Sequence, residues 1–411
     1  MSTEVYVYAD WEGFTDPILV GVLRSSVIKK KEHFSFSYDK AWLQSENAQK
    51  IDPDLHLFTG EQHSPDSNNF RVFLDSCPDR WGRLLMKRRE AIIARQEERK
   101  PKLFHEIDYL IGVHDLYRQG ALRFKSNPSG DFLDNDTRLA APPISSLKEL
   151  EYAALQVENS NTDDPEYLKW LYMLMSPGSS LGGARPKASV IDDNEHLWIA
   201  KFPSRYDDYD IAAWEYLVYR LALTAGVEMS ESRIEKFNSH HHTFLTKRFD
   251  RTKNSRLHFT SAMTQLEYYD GDYDASYIEL AEFLTEQGSN TKIDLAQLWR
   301  RMVFNIAVSN TDDHLRNHGF IYRNDGWILS PAYDVNPVTP ANGLHLNITD
   351  DDNSLNYDLA MEVVDFFKLS EAEAETIKNE VLTSVRQWEA VATEMGISRS
   401  EQKLMEPAFN I

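Results

Sequence analysis

The segment Ser309–Tyr322 reads "SNTDDHLRNHGFIY" and stands between an apolar run typical of a buried helix and a run typical of a strand. Within it, Asp312 and Asn317 have the D-x-x-x-x-N spacing of a protein-kinase catalytic loop. In that pattern the aspartate accepts the proton of a substrate hydroxyl. The asparagine oxygen binds Mg²⁺, a cation that prefers oxygen ligands. The segment therefore predicts a site for proton transfer and metal binding.

A second metal ligand is expected downstream of this loop. Residues 319–334 read "GFIYRNDGWILSPAYD", two strand-like runs joined by a turn, which predicts a hairpin that delivers Asp334 beside the loop. Catalytic aspartate, metal asparagine, hairpin and metal aspartate is the order found in protein kinases. Because a single D-x-x-x-x-N segment is more often a solvated helix cap, the interpretation depends on the order of several motifs.

A glycine-rich loop lies upstream, in "MSPGSSLGGARPKASV". Gly178 and Gly183 have the spacing of a P-loop, but Ala184 stands where that motif requires lysine, and a strand-like run follows where it requires a helix. The P-loop is therefore excluded. A glycine turn of the kind that covers ATP phosphates in protein kinases and a plain turn both remain open.

A lysine at a strand end extends the kinase order. Lys201 follows the apolar run "LWIA", and a protein kinase holds the ATP phosphates with one such lysine. Its carboxylate partner is predicted to be Glu215, which shares an apolar helix stripe with Ile211 and Val218. A peripheral glutamate is an equally good interpretation of that position.

The chain-wide pattern predicts an α+β fold. The runs "VYVYAD", "ILVGVLR" and "HFSFSY" alternate with period two and predict strands, and "RWGRLLMKRREAIIARQEE" has helical spacing. Helical patterns dominate the last part, where "SEAEAETIKNEVLTSVRQWEAVATEMG" predicts a helical segment that opens with Ser370 as N-cap and closes with a glycine. The predicted divisions are an N-terminal α+β subdomain at 1–125, a linker at 126–146, a nucleotide-binding N-lobe core at 147–250 and a helical catalytic C-lobe at 251–411.

Composition limits the environment and the partners. The 411 residues carry a net charge of −21, which disfavours direct contact with polyanions. The basic run Lys87–Lys102 is one candidate patch for such contact, and a solvated helix face is the preferred interpretation of it. One cysteine, Cys77, fits a reducing cytoplasm. The sequence shows no membrane-length apolar run and no signal-peptide pattern at its start, so a cytoplasmic protein without a membrane partner is expected.

Together these motifs resemble the HipA family of bacterial toxin kinases, found in type II toxin–antitoxin modules. The segments "SSLGGARPKASV", "LWIAKFP", "WEYLVYRLALTAGV" and "TKRFDR" are similar to the nucleotide-binding part of that family, and "FNIAVSNTDDHLRNHGFIY" with "SPAYDV" to its catalytic and metal segments. The N-terminal segments "FSFSYDKAWL", "FLDSCPDRWGR" and "IGVHDLYRQGALRF" resemble its first domain more loosely. The resemblance implies a two-lobed, PI3/4-kinase-like α+β fold with a strand-rich N-terminal lobe and a helical C-terminal lobe.

The resemblance also implies residue roles. Asp312 would be the catalytic base, and Asn317 and Asp334 would hold Mg²⁺. The residues implied to bind ATP are Ser180, Gly182, Gly183, Lys187, Lys201, Lys247, Phe249, His314, Asn317 and Asp334. The family autophosphorylates a serine of the glycine-rich loop, which falls here on Ser180 or its neighbour Ser179. That phosphate, carrying about −1.5 to −2 charges, would repel the nucleotide and pair with Arg185 or Lys187.

The activity implied is that of a serine/threonine protein kinase toxin that uses ATP and Mg²⁺. Characterised relatives phosphorylate aminoacyl-tRNA synthetases, and a small helix-turn-helix antitoxin is the expected partner, through which alone the chain would reach DNA. A small-molecule phosphotransferase and a non-catalytic nucleotide-binding regulator remain as alternatives. Two departures from the family pattern are expected to affect activity or substrate choice. Arg185-Pro186 replaces Gln-Glu, and Asp313 replaces a small residue.

Overall fold

The computed structural model describes residues 2–65, 68–136, 141–159, 166–175, 185–272, 274–323 and 325–411. They form two compact units, which we call the first unit (Met1–Arg205 with Asp250–Thr260) and the second unit (Tyr206–Phe249 with Ser261–Ile411). Both contain helices and strands, so the predicted α+β class is confirmed. Because the units are defined by packing alone, the predicted functional division of the chain stays a prediction.

The first unit is built on an antiparallel sheet. Among the described residues its strand order is β4-β3-β2-β1-β5, and the strands are β1 (Ser2–Ala9), β2 (Ile18–Ile28), β3 (Lys31–Tyr38), β4 (Glu61–His63) and β5 (Leu122–Lys125). Successive side chains of a strand point to opposite faces, and β1 accordingly buries Val5, Val7 and Ala9 on one face. The three strands predicted from alternating sequence are confirmed as β1, β2 and β3.

Helices and a second hairpin complete the first unit. The helices are α1 (Lys40–Gln44), α2 (Arg71–Asp75), α3 (Arg80–Gln96), α4 (Glu106–Ile111), α5 (Leu147–Glu158) and α6 (Tyr167–Met175). β6 (Lys187–Ile191) and β7 (Leu197–Lys201) pair in an antiparallel hairpin. The side chain of Asp79 caps the N-terminus of α3 by accepting a hydrogen bond from Gly82 N at 2.7 Å.

The second unit is mainly helical. Its elements are α7 (Ile211–Thr224), the antiparallel hairpin of β8 (Ser232–Glu235) and β9 (Thr243–Lys247), α8 (Ala262–Gln265), α9 (Tyr277–Gln287), α10 (Thr291–Val308), the hairpin of β11 (Gly319–Arg323) and β12 (Gly326–Leu329), α11 (Tyr357–Glu362), α12 (Glu371–Val385), α13 (Trp388–Glu394) and α14 (Arg399–Met405). Strand β10 (Phe259–Ser261) contains the boundary between the units.

Helix α10 is the centre of the second unit's core. Its apolar residues are buried nearly all round, including Leu298, Trp299, Met302 and Phe304 at 1% exposure or less. A helix that is apolar on all sides must be surrounded by other elements, and α10 contacts α9 and α12. The loop that begins at Ser309 is therefore attached to a helix whose end is fixed in the core. No helix among the described residues is long and apolar enough to cross a membrane.

Candidate active site

The glycine-rich loop falls outside the part of the chain that the structure describes. Ser179, Ser180, Gly182 and Gly183 lie outside the described residues, so their predicted roles in covering phosphate and in autophosphorylation stay predictions. The next described residue is Arg185, two residues before β6 begins.

The two lysines predicted to contact phosphate lie opposite each other on the β6–β7 hairpin. Lys187 and Lys201 are direct cross-strand partners at the end of the hairpin where β6 begins and β7 ends. Lys187 is buried, and its Nζ lies 2.8 Å from Asp79 Oδ2. Burial raises the pKa of Asp79 above its usual range even though Lys187 favours the charged carboxylate. The structure thus brings both lysines together but gives Lys187 a buried protein partner.

Glu215 is buried on α7 in the second unit. Helix α7 begins after Asp210, whose carboxylate accepts a hydrogen bond from Ala213 N at 3.2 Å. The same carboxylate lies 2.6 Å from His242 Nδ1. The N-terminus of the helix is therefore fixed to the β9 hairpin, while the predicted pairing of Glu215 with Lys201 stays a prediction.

The segment predicted to contact adenine follows β9. Lys247 ends that strand, and its backbone N–H donates to Glu231 O at 2.8 Å while its carbonyl accepts from the Ser230 hydroxyl. Two residues later, the Phe249 ring packs on the Tyr333 ring with centroids 5.4 Å apart. This contact places Phe249 next to the residue that precedes Asp334.

The loop that carries Asp312 and Asn317 is fixed at both ends. Ser309 terminates α10 in the left-handed conformation, with φ of 51°, and Leu315 anchors the loop by burying its side chain. Asn317 Nδ2 donates to the backbone carbonyl of Asp312 at 3.0 Å. The Asp312 side chain is exposed, as a base that meets a substrate must be.

Asp334 lies in a segment that is hydrogen-bonded to the same loop. The Tyr333 hydroxyl donates to Arg316 O at 2.7 Å, and Val338 N donates to Ser309 O at 3.2 Å. Asp334 itself adopts a left-handed φ of 58°, and its Oδ1 accepts from Asn336 Nδ2 at 3.3 Å. The structure therefore places the segment of Asp334 against the loop of Asp312 and Asn317.

His314 lies among these carboxylates. Its ring meets the His345 ring edge-on, with centroids 5.8 Å apart. Burial lowers the pKa of His314 below its ordinary value, although the negative charges of Asp312 and Asp334 act in the opposite direction. A neutral imidazole is therefore favoured at neutral pH, which leaves its ring available as a hydrogen-bonding group.

Sequence reasoning missed a buried polar network beneath this loop. Asp313 accepts a hydrogen bond from the Tyr277 hydroxyl and lies 3.0 Å from His318 Nε2, and Asn305 Nδ2 donates to the Tyr277 hydroxyl at 3.0 Å. Arg301 donates to Ser330 O at 2.6 Å, next to the hairpin. The one signal in the sequence was the departure at Asp313, since an ionisable residue in place of a small one needs a partner when it is buried.

The loop offers oxygen ligands that fit Mg²⁺. Asn317 is 4% exposed, and its Oδ1 has no hydrogen-bond partner in the part of the chain that the structure describes. Such an orphaned acceptor, close to the Asp334 segment, matches a cation that takes one or two carboxylates and fills its remaining positions with waters and phosphate oxygens. Among the described residues, no group of three or more His, Cys, Asp or Glu side chains could hold a metal. The donor set therefore fits a metal bound together with a nucleotide.

The α+β fold and the order of these segments along it are those of a protein-kinase-like fold. The sequence model of the family described as the HipA-like C-terminal domain matches residues 179–392, more than half of the chain. This chain therefore belongs to the HipA-like family, and the resemblance inferred from its motifs is confirmed.

Relatives and solved structures agree with this assignment. A Haemophilus influenzae protein named "Putative kinase" is 29% identical over 40% of this chain and 54% of its own length. A Sinorhizobium fredii protein named "Putative kinase Y4dM" is 28% identical over 35% of this chain and 38% of its own length. The chain thus spans about half, or less, of these curated relatives.

The fold has a solved counterpart over nearly the whole chain. HipA of Shewanella oneidensis MR-1, solved in a toxin–antitoxin complex with HipB and its operator DNA, matches with a TM-score of 0.67. The match covers 98% of this chain and 94% of that chain at 18% identity. At that identity the likeness establishes the fold, and the predicted HipA-type fold is confirmed.

Proposed function

We propose that this protein is a serine/threonine protein kinase that uses ATP and Mg²⁺ and acts as the toxin of a type II toxin–antitoxin module. The observation that carries the proposal is the Asn317 side chain. Its amide nitrogen bonds to the backbone of Asp312, so its buried oxygen is left for a ligand beside the Asp334 segment. The family assignment and the kinase names of two relatives support the same reaction class.

Catalysis would rest on positioning and charge. Mg²⁺-ATP, when bound, supplies the phosphoryl group and neutralises part of its negative charge. Asn317 and Asp334 would hold the metal through their oxygens, and Lys201 would hold a phosphate. The exposed carboxylate of Asp312 would orient the acceptor hydroxyl and take its proton. Phe249, packed on Tyr333, would place the adenine segment next to the metal ligands.

The protein substrate and the autophosphorylation site belong to the proposal as well. An aminoacyl-tRNA synthetase is the substrate class implied by the family, and Ser180 or Ser179 is the serine implied to be modified. With 65 acidic and 44 basic residues, the chain is suited to bind a basic partner protein. A small helix-turn-helix antitoxin fits that description, and the Shewanella HipA structure contains HipB and operator DNA.

Mass spectrometry and a labelled lysate test this function together. After incubation with Mg²⁺-ATP, the intact chain is expected to gain about 80 Da, one phosphoryl group, on Ser179 or Ser180. In lysate with γ-labelled ATP, a discrete protein band is expected. Labelled small molecules alone would indicate a small-molecule phosphotransferase, and no transfer at all would indicate a nucleotide-binding regulator.

The variant Asp312→Asn is the first prediction, and it separates catalysis from binding. We expect the rate of transfer to fall by roughly 10²–10⁴, because the general base is removed while the backbone carbonyl that holds Asn317 remains. Nucleotide affinity and Tm should stay near those of the wild type. Asp351→Asn, at another exposed aspartate of the second unit, is the matched control and should transfer phosphate normally. Wild-type rates in Asp312→Asn would remove the assignment of the base.

A further inference from the structure

Two buried residues stand immediately beside the proposed catalytic pair. Asp313 follows Asp312, and His318 follows Asn317, so the two side chains flank the loop at its base. His318 Nε2 lies 3.0 Å from both carboxylate oxygens of Asp313. We propose that the Asp313–His318 pair is a positioning device that sets the relative placement of Asp312 and Asn317, and hence the direction of the metal-binding oxygen. This inference rests on the proposed kinase function.

The pair is anchored in the core of the second unit. The Tyr277 hydroxyl, from helix α9, donates to Asp313 Oδ2 and itself accepts from Asn305 Nδ2 of α10 at 3.0 Å. The Tyr277 ring also meets the His318 ring edge-on, with centroids 5.7 Å apart. Two buried helices therefore hold the base of the loop through a single carboxylate.

The far side of the pair is fixed by the backbone. The carbonyl of His318 accepts a hydrogen bond from Ala262 N, at the start of α8, at 2.9 Å. One residue earlier, Asn317 Nδ2 bonds to Asp312 O at 3.0 Å. The Asp313–His318 contact between side chains and the Asn317–Asp312 hydrogen bond between side chain and backbone connect the same two ends of the loop. Rotation of the Asn317 amide would break the Asn317–Asp312 hydrogen bond, and separation of the two ends would break the Asp313–His318 contact.

Electrostatic interactions stabilise the pair. Burial raises the pKa of Asp313, but His318 and the Tyr277 hydroxyl outweigh it, so the pKa lies below its usual value and the carboxylate is charged. A buried carboxylate that lost these partners would have to find others or protonate. The loop consequently has one favoured arrangement. Partners that orient metal ligands in this way typically change metal affinity or activity by about 10- to 100-fold when they are removed.

Binding of Mn²⁺, measured by electron paramagnetic resonance with a non-hydrolysable ATP analogue present, tests the inference without relying on turnover. The variants are Asp313→Asn, His318→Gln and their combination. Each single variant is expected to weaken Mn²⁺ binding by roughly 10-fold or more, while the affinity for the analogue without metal stays within about 3-fold. Because the two residues act as one unit, the double variant should be about as weak as either single variant.

Steady-state kinetics provides a second measurement, in which kcat and KM are compared. With Mg²⁺ held at a saturating concentration, the kcat of phosphoryl transfer is expected to fall about 10- to 100-fold in each variant while KM for ATP changes little, because a metal ligand displaced by about 1 Å misaligns the reacting groups. A residue that served folding alone would lower the active fraction and leave both constants of that fraction unchanged.

Two controls separate positioning from stability. Val381→Ala removes buried volume from α12 and lowers Tm without touching the loop, so its Mn²⁺ affinity should match the wild type. Asp192→Asn disrupts another Asp–His pair, in which Asp192 lies 3.3 Å from His196 at the turn end of the β6–β7 hairpin, and it should likewise have no effect on Mn²⁺ binding.

The outcomes distinguish this inference from the proposed function. If the wild-type chain fails to bind Mn²⁺ with nucleotide, both are overturned. If the wild type binds and the Asp313 and His318 variants stay within about 2-fold of it while folded, the positioning role is wrong and the kinase proposal stands. A loss of affinity that follows Tm across all variants, Val381→Ala included, would also overturn the positioning role.

Discussion

At the scale of single residues, Lys187 shows that the role implied by a sequence motif and the contacts made in the structure can differ. The sequence resemblance implies that this lysine binds nucleotide, whereas the structure buries it with Asp79, the N-cap of α3. The Trp81 Nε1 group also donates to the Lys187 backbone carbonyl, at 3.2 Å. The lysine thus fastens the start of β6 to α3, and a structural role follows whether or not its charge also reaches a nucleotide.

Replacing Lys187 with methionine should therefore destabilise the first unit. The change leaves the buried Asp79 without its cation, a loss that typically amounts to about 3 kcal/mol for a buried ion pair. Chemical denaturation followed by tryptophan fluorescence would measure it. Lys169→Met, which removes an exposed pair with Glu166 on the same unit, is the matched control and should change stability by less than about 1 kcal/mol. Equal stability of the two variants would rule out the structural role.

Asp294 gives the protein a predictable response to pH. Its Oδ2 accepts from Leu329 N at 3.0 Å, and burial raises the pKa of this carboxyl to about 6. A folded-state pKa above the unfolded value of about 3.9 means that the folded state binds the proton more tightly. The contribution of Asp294 to stability is full below about pH 4 and is lost as pH rises through about 6.

Asp294→Asn should remove that pH dependence, since the amide copies the neutral acid. We expect the variant to be more stable than the wild type above about pH 6, by about 2 kcal/mol, and equally stable near pH 4. Thermal unfolding measured across this range would show the two curves converging on acidification. Asp351→Asn, at an exposed position, should follow the wild type at every pH; a parallel gain there would contradict the explanation.

At the scale of elements, the C-terminal helices show local signals acting as expected. Ser370 caps α12 by accepting from Glu373 N at 3.3 Å, and Glu373 in turn accepts from Ser370 N at 2.9 Å. This capping box satisfies two backbone donors that the helix cannot satisfy itself. The predicted N-cap is thereby confirmed, and Gly396, with φ of 75°, follows α13 where a glycine was expected to close the helical segment.

Ser370→Ala should lower the stability of the second unit by about 1 kcal/mol, the usual cost of losing an N-cap. Ser398→Ala is the comparison, because Ser398 caps the shorter helix α14 through Glu401 N without a reciprocal bond. We expect the smaller loss for Ser398→Ala, measured as the shift in thermal unfolding. The reverse order would show that the capping box adds nothing to α12.

Local patterns predicted most elements because their causes are local. The alternation of apolar and polar residues predicted β1 to β3, and helical spacing of apolar residues predicted α3 and α10. Both patterns arise because one face of each element is buried. The break between α12 and α13 was not visible, because the helical pattern continues across Arg386 and Gln387. It reflects tertiary packing, in which the Trp388 ring stacks on the Phe409 ring with centroids 4.4 Å apart.

Part of the candidate site could likewise be predicted from the sequence, and part could not. The spacing of Asp312 and Asn317 and the hairpin before Asp334 could be read from the chain, because they lie close together in sequence. The contact of Tyr277 with Asp313 joins residues 36 positions apart, and that of Asp79 with Lys187 joins residues farther apart still. No one-dimensional pattern states which buried polar groups satisfy each other, so these pairings required the structure.

At the scale of the whole molecule, charge governs the relation to nucleic acid. The net charge is −21, and basic residues of the Lys87–Lys102 run have carboxylate partners of their own. Arg99 lies 2.5 Å from Glu90 and 2.6 Å from Glu97, and Lys102 lies 2.7 Å from Asp108. Paired charges release few counterions from DNA, so Arg99 and Lys102, which follow α3, are poorly suited to bind phosphate. The interpretation of the whole run as a solvated helix face stays a prediction, since these contacts involve residues beyond the end of α3.

The chain alone should therefore fail to bind duplex DNA at physiological salt. Fluorescence anisotropy with a labelled duplex is expected to show no saturable binding up to about 10 µM, a range in which weak basic proteins already bind non-specifically. Glu90→Gln with Glu97→Gln, which releases Arg99 from its partners, should raise the weak affinity measured at low salt. The matched change Glu371→Gln with Glu389→Gln, at two exposed positions of α12 and α13, alters net charge equally and should raise it less. Saturable wild-type binding with a steep salt dependence would show direct contact with DNA and remove the need for a basic partner protein.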